Sequence, residues 1–260
     1  MATVRRVIAP NPGPFTGPGT NTWLLDDGRV VAVVDPGPED VRHLAALQKA
    51  LGGSAVGVVL VTHSHADHLE LAERLALLHD ARVSRYPELS DGDVVHVGTM
   101  TLVALHTPGH APDHLAYWMP EDHVLFTGDL ILGRGSSMVT YPEGDVAAYL
   151  NSLERVAKLE PRMIFPGHWD PVVEAQSKIV EYREHRLARE RQIVQELSAR
   201  GPGSARELTE RVYTPELAAV PEGRDQLLQA AEMTLRAHLR KLATEGRVRE
   251  EGDRFELAPR

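Results

Sequence analysis

A chain of 260 residues that is 42% hydrophobic can bury a full core, as one large domain or as one domain with a small appendage. Its net charge of −9 repels polyanions at long range, and an aromatic content of 5% leaves no evident platform for stacking bases. With no cysteine, disulfides, thiolate catalysis and Cys-based zinc sites are excluded, so any metal must be held by His and carboxylates.

The first residues carry Arg5 and Arg6 but no apolar run of signal-peptide length, and no segment approaches bilayer-spanning length. A cytoplasmic protein is therefore expected. Residues 10–20, rich in Pro and Gly, cannot form a regular helix or central strand and read as a loop lying over something. Thr22–Leu25 and Val30–Val34 read as strands joined at Asp26-Asp27-Gly28, and the second ends at Asp35-Pro36-Gly37. A helix follows to about Leu51, with Leu44, Leu47 and Leu51 at helical spacing. Val56–Val61 has the continuous apolar character of a strand buried on both faces. It runs into His63-Ser64-His65-Ala66-Asp67-His68, four potential metal ligands between a strand end and a helix N-terminus, where α/β proteins place their chemistry. That next helix is expected to carry Leu69, Leu71, Leu75 and Leu78.

Between residues 81 and 130, short apolar runs at 93–97, 100–106, 114–119 and 123–127 predict antiparallel strands. Two of these runs end in polar clusters, at Thr107-Pro-Gly-His110 and Thr127-Gly-Asp129. A helix is predicted over 145–159, a strand over 162–165 ending in Pro166-Gly-His168, and a long charged helix over 174–200 facing solvent. Gly201-Pro202-Gly203 suggests a boundary between a domain over 1–200 and a module over 201–260. In the module, two helices and a hairpin turning at Glu251-Gly252-Asp253 read as winged-helix-like. Residues 201–260 carry 10 Lys+Arg against 11 Asp+Glu, without the basic excess of a nucleic-acid reader.

Three strand ends thus deliver His110, Asp129 and His168, which with His63, His65, Asp67 and His68 make seven candidate ligands, enough for two divalent ions. Zinc suits imidazole and carboxylate donors at low coordination number with positions left for water; manganese and iron are the alternatives. His43, His79, His96, His106, His123, His185 and His238 read as packing or surface residues. His114 and Asp113 sit where they could orient His110, and Arg134, Ser136 and Ser137 where they could reach a substrate phosphate or carboxylate.

Thr62-His-Ser-His-Ala-Asp-His68, Thr107-Pro-Gly-His110, Phe126-Thr-Gly-Asp129 and Pro166-Gly-His168 resemble, in order, the motifs of the metallo-β-lactamase superfamily over residues 4–200. The resemblance implies an α+β fold, an αββα sandwich with the small C-terminal winged-helix-like module appended. It also implies that one zinc takes His63, His65 and His110, the second Asp67, His68 and His168, with Asp129 bridging. Gly19-Thr-Asn-Thr-Trp-Leu-Leu25, the stretch from Thr107 to His114, and Gly128-Asp-Leu-Ile-Leu-Gly133 further resemble the β-lactamase-like protein 2 family, which includes an animal mitochondrial endoribonuclease cutting single-stranded RNA. The expectation is a binuclear zinc hydrolase in which metal-activated hydroxide attacks a phosphodiester, with Asp67 orienting it and handling its proton. A glyoxalase II-like thioester or ester hydrolase and a zinc-sensing nucleic-acid-binding regulator are the alternatives. The module could clamp substrate, cover the active site or mediate an oligomer; no membrane partner is expected.

Overall fold

The computed structural model describes residues 2–214 and 224–259. They form two compact units: one of residues 2–108, 113–137 and 152–179, the other of 109–112, 138–151, 180–214 and 224–259. Among the described residues no helix is long and apolar enough to cross a membrane.

The first unit is built on two five-stranded sheets. Thr3–Ile8 (β1), Asn21–Asp26 (β2), Val30–Val34 (β3), Ala55–Leu60 (β4) and Arg82–Ser84 (β5) lie in chain order in one. Val94–Val97 (β6), Met100–His106 (β7), Leu115–Met119 (β8), Val124–Gly128 (β9) and Met163–Pro166 (β10) form the other, in the order β10-β9-β8-β7-β6. Side chains alternate across a strand, and one face of each sheet supplies a shared core: Trp23, Leu25, Val34 and Leu60 from the first, Leu102, Tyr117, Phe126 and Phe165 from the second. The outward residues Val33, Val56 and Val59 pack with Leu44 and Leu47 of helix Val41–Leu51 (α1) and Leu75 of helix Ala72–His79 (α3). Burying each such side chain contributes roughly 1.5–3 kcal/mol, and β4, feeding both cores, is the double-faced strand its apolar run predicts. Helix Val146–Ala157 (α4) is tied to the end of β7 where Ser152 donates to the Pro108 carbonyl (2.7 Å) and Arg155 to that of His106 (3.1 Å).

Two features of this unit depart from expectation. Arg5 and Arg6 lie within β1, an edge strand paired antiparallel to β2; its charged residues masked the alternation. The single helix expected after the His motif is two, Ala66–Leu69 (α2) and α3. The Leu71 N–H donates to the Gly37 carbonyl (3.0 Å), and the Gly37 N–H to that of His68 (3.2 Å). The loop after β3 thereby takes bonds that a continuous helix would use.

In the second unit, helix Ala175–Arg200 (α5) contributes Ile193 and Leu197 to a cluster with Leu208 of helix Ala205–Val212 (α6), Leu235, Leu239 and Leu242 of helix Arg224–Thr244 (α7), and Phe255. Val248–Glu251 (β12) and Arg254–Leu257 (β13) form the predicted hairpin, and Gly203–Ser204 (β11) adds a third strand beside β13. Ser204 caps α6 in a reciprocal box with Glu207. The reading of α5 as solvent-facing is corrected here: Arg186, Arg189 and Glu190 are buried. Arg189 donates to the Val212 carbonyl (3.1 Å) and its guanidinium lies 3.9 Å from the centre of the Tyr213 ring. Its charges are partnered inside the unit, which a one-dimensional charge pattern cannot reveal.

Glu190 lies 2.8 Å from the Lys241 ammonium, 3.4 Å from Arg247 and 3.9 Å from His238. Burial raises its carboxyl, but His238 and Lys241 outweigh that and bring it down to about 2. Because the folded value is below the ordinary 4.5, the carboxylate's stabilisation is present above that pH and lost as pH falls toward 2. Urea unfolding at pH 5 and pH 3 should show a loss on the order of 1–3 kcal/mol, and Glu190→Gln should flatten that difference. An unchanged pH dependence would assign acid lability to other groups.

Candidate metal centre

The centre lies at the C-terminal ends of β3, β4, β9 and β10. β3 and β4 run parallel, as do β9 and β10, so the residue after each strand emerges on the same side as its neighbour's. Asp35 directly follows β3, His63 lies three residues beyond β4, Asp129 directly follows β9 and His168 lies two residues beyond β10.

Asp35, fully buried and in the left-handed region (φ 53°), is the brace of the arrangement. It accepts the Thr62 N–H (2.8 Å) and hydroxyl (2.9 Å), and its Oδ2 lies 2.8 Å from His68 Nδ1. Because the Thr62 hydroxyl is spent as donor to Asp35, its oxygen accepts from His63 Nδ1 (2.9 Å). One carboxylate therefore orients two imidazoles, His68 directly and His63 through Thr62, each presenting Nε2 inward. His63 Nε2 lies 2.9 Å from His65 Nδ1.

His68 Nε2 is buried without a hydrogen-bond partner, 3.5 Å from Asp67 Oδ2 and 3.5 Å from Asp129 Oδ1. His168 Nε2 is 3.4 Å from Asp67 Oδ2 and 3.5 Å from Asp129 Oδ2. The donor atoms of His63, His68 and Asp129 lie within 4.8 Å of one another, and so do those of Asp67, His68 and His168. Burial opposes charge on His68, yet the carboxylates of Asp35, Asp129 and Asp67 outweigh it and push the ring up to about 10. Burial likewise opposes charge on His168, and Asp129 and Asp67 raise it. This concentration of negative charge around imidazole nitrogens favours a cation. His/Asp clusters of this kind are suited to binding metal ions.

Two glycines are required by this packing. A Cβ on Gly167 would lie 2.5 Å from Asp129 Oδ1 and 2.7 Å from His68 Cε1; one on Gly128 (φ 45°) would lie 2.5 Å from Thr62 Oγ1 and 2.9 Å from His114 Nε2.

The remaining predicted residues take distinct places. His110 is buried in the second unit, its Nδ1 2.6 Å from the Met138 carbonyl, which makes Nδ1 the donor and Nε2 the lone-pair nitrogen. His114 is fully buried; its Nε2 accepts the Asp129 N–H (3.2 Å) and its Nδ1 pairs with Thr107 Oγ1 (2.8 Å), so it holds Asp129 at the backbone. Asp113 is half-buried. Ser137 is buried and its hydroxyl donates to the Asp129 carbonyl, whereas Arg134 and Ser136 are exposed on the same loop. Sequence reading missed Asp35 and Thr20. Thr20 donates to Asp67 Oδ2 (2.9 Å) and accepts from Asn11 Nδ2 (3.0 Å), so the Pro/Gly-rich loop lies over Asp67. The signal for Asp35 was an Asp-Pro-Gly directly after an apolar strand, which reads as a turn until its contacts are seen. His43, expected to be a packing residue, is fully buried and pairs with Thr22 Oγ1 (2.9 Å).

The family model of the metallo-beta-lactamase superfamily matches residues 15–91 and 79–168. The chain belongs to that superfamily. Members of the metallo-beta-lactamase superfamily are generally hydrolases, and a beta-lactamase associated winged helix domain matches residues 204–256. The chain is 34% identical to a Beta-lactamase-like protein 2 homolog of Caenorhabditis elegans, over 81% of this chain and 76% of that one. It is also 34% identical to an Atrochrysone carboxyl ACP thioesterase of Aspergillus chevalieri, over 94% of this chain and 82% of that one. Among solved structures, a Beta-lactamase domain protein from Burkholderia ambifaria aligns with a TM-score of 0.84 and 27% identity, covering 98% of this chain and 91% of that one.

Proposed function

We propose that this superfamily member is a metal-dependent hydrolase of acyl thioesters or related esters. The observation that carries the reading is His68, held at Nδ1 by Asp35 with its buried Nε2 turned toward Asp67 and Asp129. In this reading His63, His65 and His110 would hold one zinc ion and Asp67, His68 and His168 a second, with Asp129 as the seventh ligand; His110 enters by the order of the motifs. The ions would supply Lewis acidity and lower the pKa of a water molecule. Asp67, its Oδ2 held by Thr20, would orient that water and accept its proton on the carboxylate. Arg134 and Ser136, exposed on the loop after Asp129, would meet an anionic part of the substrate.

The thioesterase-named relative, similar over nearly the whole chain, supports the acyl substrate class, and the net charge of −9 disfavours a polyanion. Cleavage of single-stranded RNA is the second reading, favoured by the similarity to a Beta-lactamase-like protein 2 homolog. The test is to measure metal content and to compare acyl thioesters, simple phosphodiesters and single-stranded RNA in parallel, with His63→Ala as control. Expected are two equivalents of metal and a thioester turnover abolished in the control. Turnover of RNA alone, lost in the control, would establish the second reading, and no metal-dependent turnover of any of them would overturn both.

A further inference from the structure

A cavity of about 400 Å³ in the second unit is lined by Tyr141, Arg236, Arg240, Ala243, Thr244, Glu250 and Phe255, within the size range of small-molecule sites. Arg236, Arg240 and Thr244 recur every four residues on α7 and so share one face of the helix. The two arginines differ in what they already hold. Arg236 donates from Nε (3.1 Å) and Nη2 (2.9 Å) to Glu232. Arg240 is exposed, has no ion pair among the described residues, and lies 5.9 Å from the centre of the Tyr141 ring. That ring is placed beside α7 by the Tyr141 N–H, which donates to the Met233 carbonyl (3.0 Å). Tyr141, Ala243 and the nearly buried Phe255 supply apolar wall. On the hairpin side, Glu250 is exposed and likewise has no ion pair among the described residues.

We propose that this cavity binds a singly charged oxyanion carried on an apolar body, with Arg240 as the anion's partner. A guanidinium presents parallel N–H donors that match two oxygens of one carboxylate or phosphodiester. Glu250 selects against a second negative charge, because like charges in one cavity repel, so a doubly charged phosphate monoester is excluded relative to a monoanion. Tyr141 and Phe255 take the apolar body. The site is independent of the hydrolytic reading, since none of its residues belongs to the metal centre.

Titration calorimetry of the full chain distinguishes the two sources of such an anion, with benzoate as the carboxylate probe and uridylyl-uridine as the phosphodiester probe. One of them should bind with one equivalent per chain. Arg240→Gln should weaken that binding by about tenfold or more, and Arg240→Lys should restore part of it. Glu250→Gln should tighten it and should admit uridine monophosphate. Both substitutions are at exposed positions, and circular dichroism would verify that the variants remain folded. Failure of both probes to bind, or binding indifferent to Arg240→Gln and Glu250→Gln, would overturn the proposal; the latter result would place the probe elsewhere on the chain.

Discussion

Replacing Asp67 by Ala is expected to lower turnover by about 10²–10⁴-fold, the usual contribution of a positioned proton acceptor, while the fold is retained. Asp67 is only half-buried and sits in the short α2, so its removal opens no core cavity. Its carboxylate has two observable tasks: Oδ2 takes the Thr20 hydroxyl, and the same oxygen lies 3.4–3.5 Å from His168 and His68 Nε2. Thr20→Val separates them, because it removes the hydroxyl that aims Asp67 and leaves the carboxylate in place. A smaller loss of turnover, with metal content unchanged, is expected for that variant. Wild-type-like turnover in Asp67→Ala would sink the assignment of Asp67 as the proton-handling group, whatever the metal content.

Asp35→Ala should be the most damaging single change to the centre as a structure. It leaves the Thr62 N–H and the His68 Nδ1–H buried without an acceptor, and it releases the Thr62 hydroxyl that orients His63. Breaking a buried charged pair of this kind costs on the order of 3–5 kcal/mol. Alanine also tolerates the left-handed backbone at φ 53° poorly. Asp35→Asn keeps the backbone preference and one acceptor, so a smaller loss of stability, on the order of 1–3 kcal/mol, is expected. In both variants zinc affinity should fall by about 10–100-fold, the typical effect of removing the group that orients a ligating imidazole. Denaturant unfolding and competition with a chromophoric chelator give the two readouts. Zinc affinity unchanged in both variants would show that Asp35 serves packing alone.

Much of the fold was legible because apolar period and turn chemistry agree locally. Val30–Val34, the run at the end of β4, Met100–His106 and the hairpin at Glu251-Gly252-Asp253 all appear as strands within a residue or two of expectation. The elements that were not legible owe their state to partners distant in the chain. β1 forms by pairing with β2 despite Arg5 and Arg6, and the helix after the His motif breaks because the Gly37 backbone takes its bonds. Arg186, Arg189 and Glu190 enter the interior of the second unit because their charges meet rings, carbonyls and counter-charges from other elements.

By itself the sequence determined which donors exist and where each leaves a strand: His63 to His68 after β4, Asp129 after β9 and His168 after β10, with no cysteine to compete. Covalent order sets those facts, and no packing alters them. Only the tertiary structure decided that parallel pairing of β3 with β4 and of β9 with β10 turns these ends toward one another. It also decided that Asp35, 33 residues from His68 in the chain, aims that ring. Hydrogen-bond direction depends on ångström-scale placement across strands, and such placement arises when the two sheets pack on their shared core.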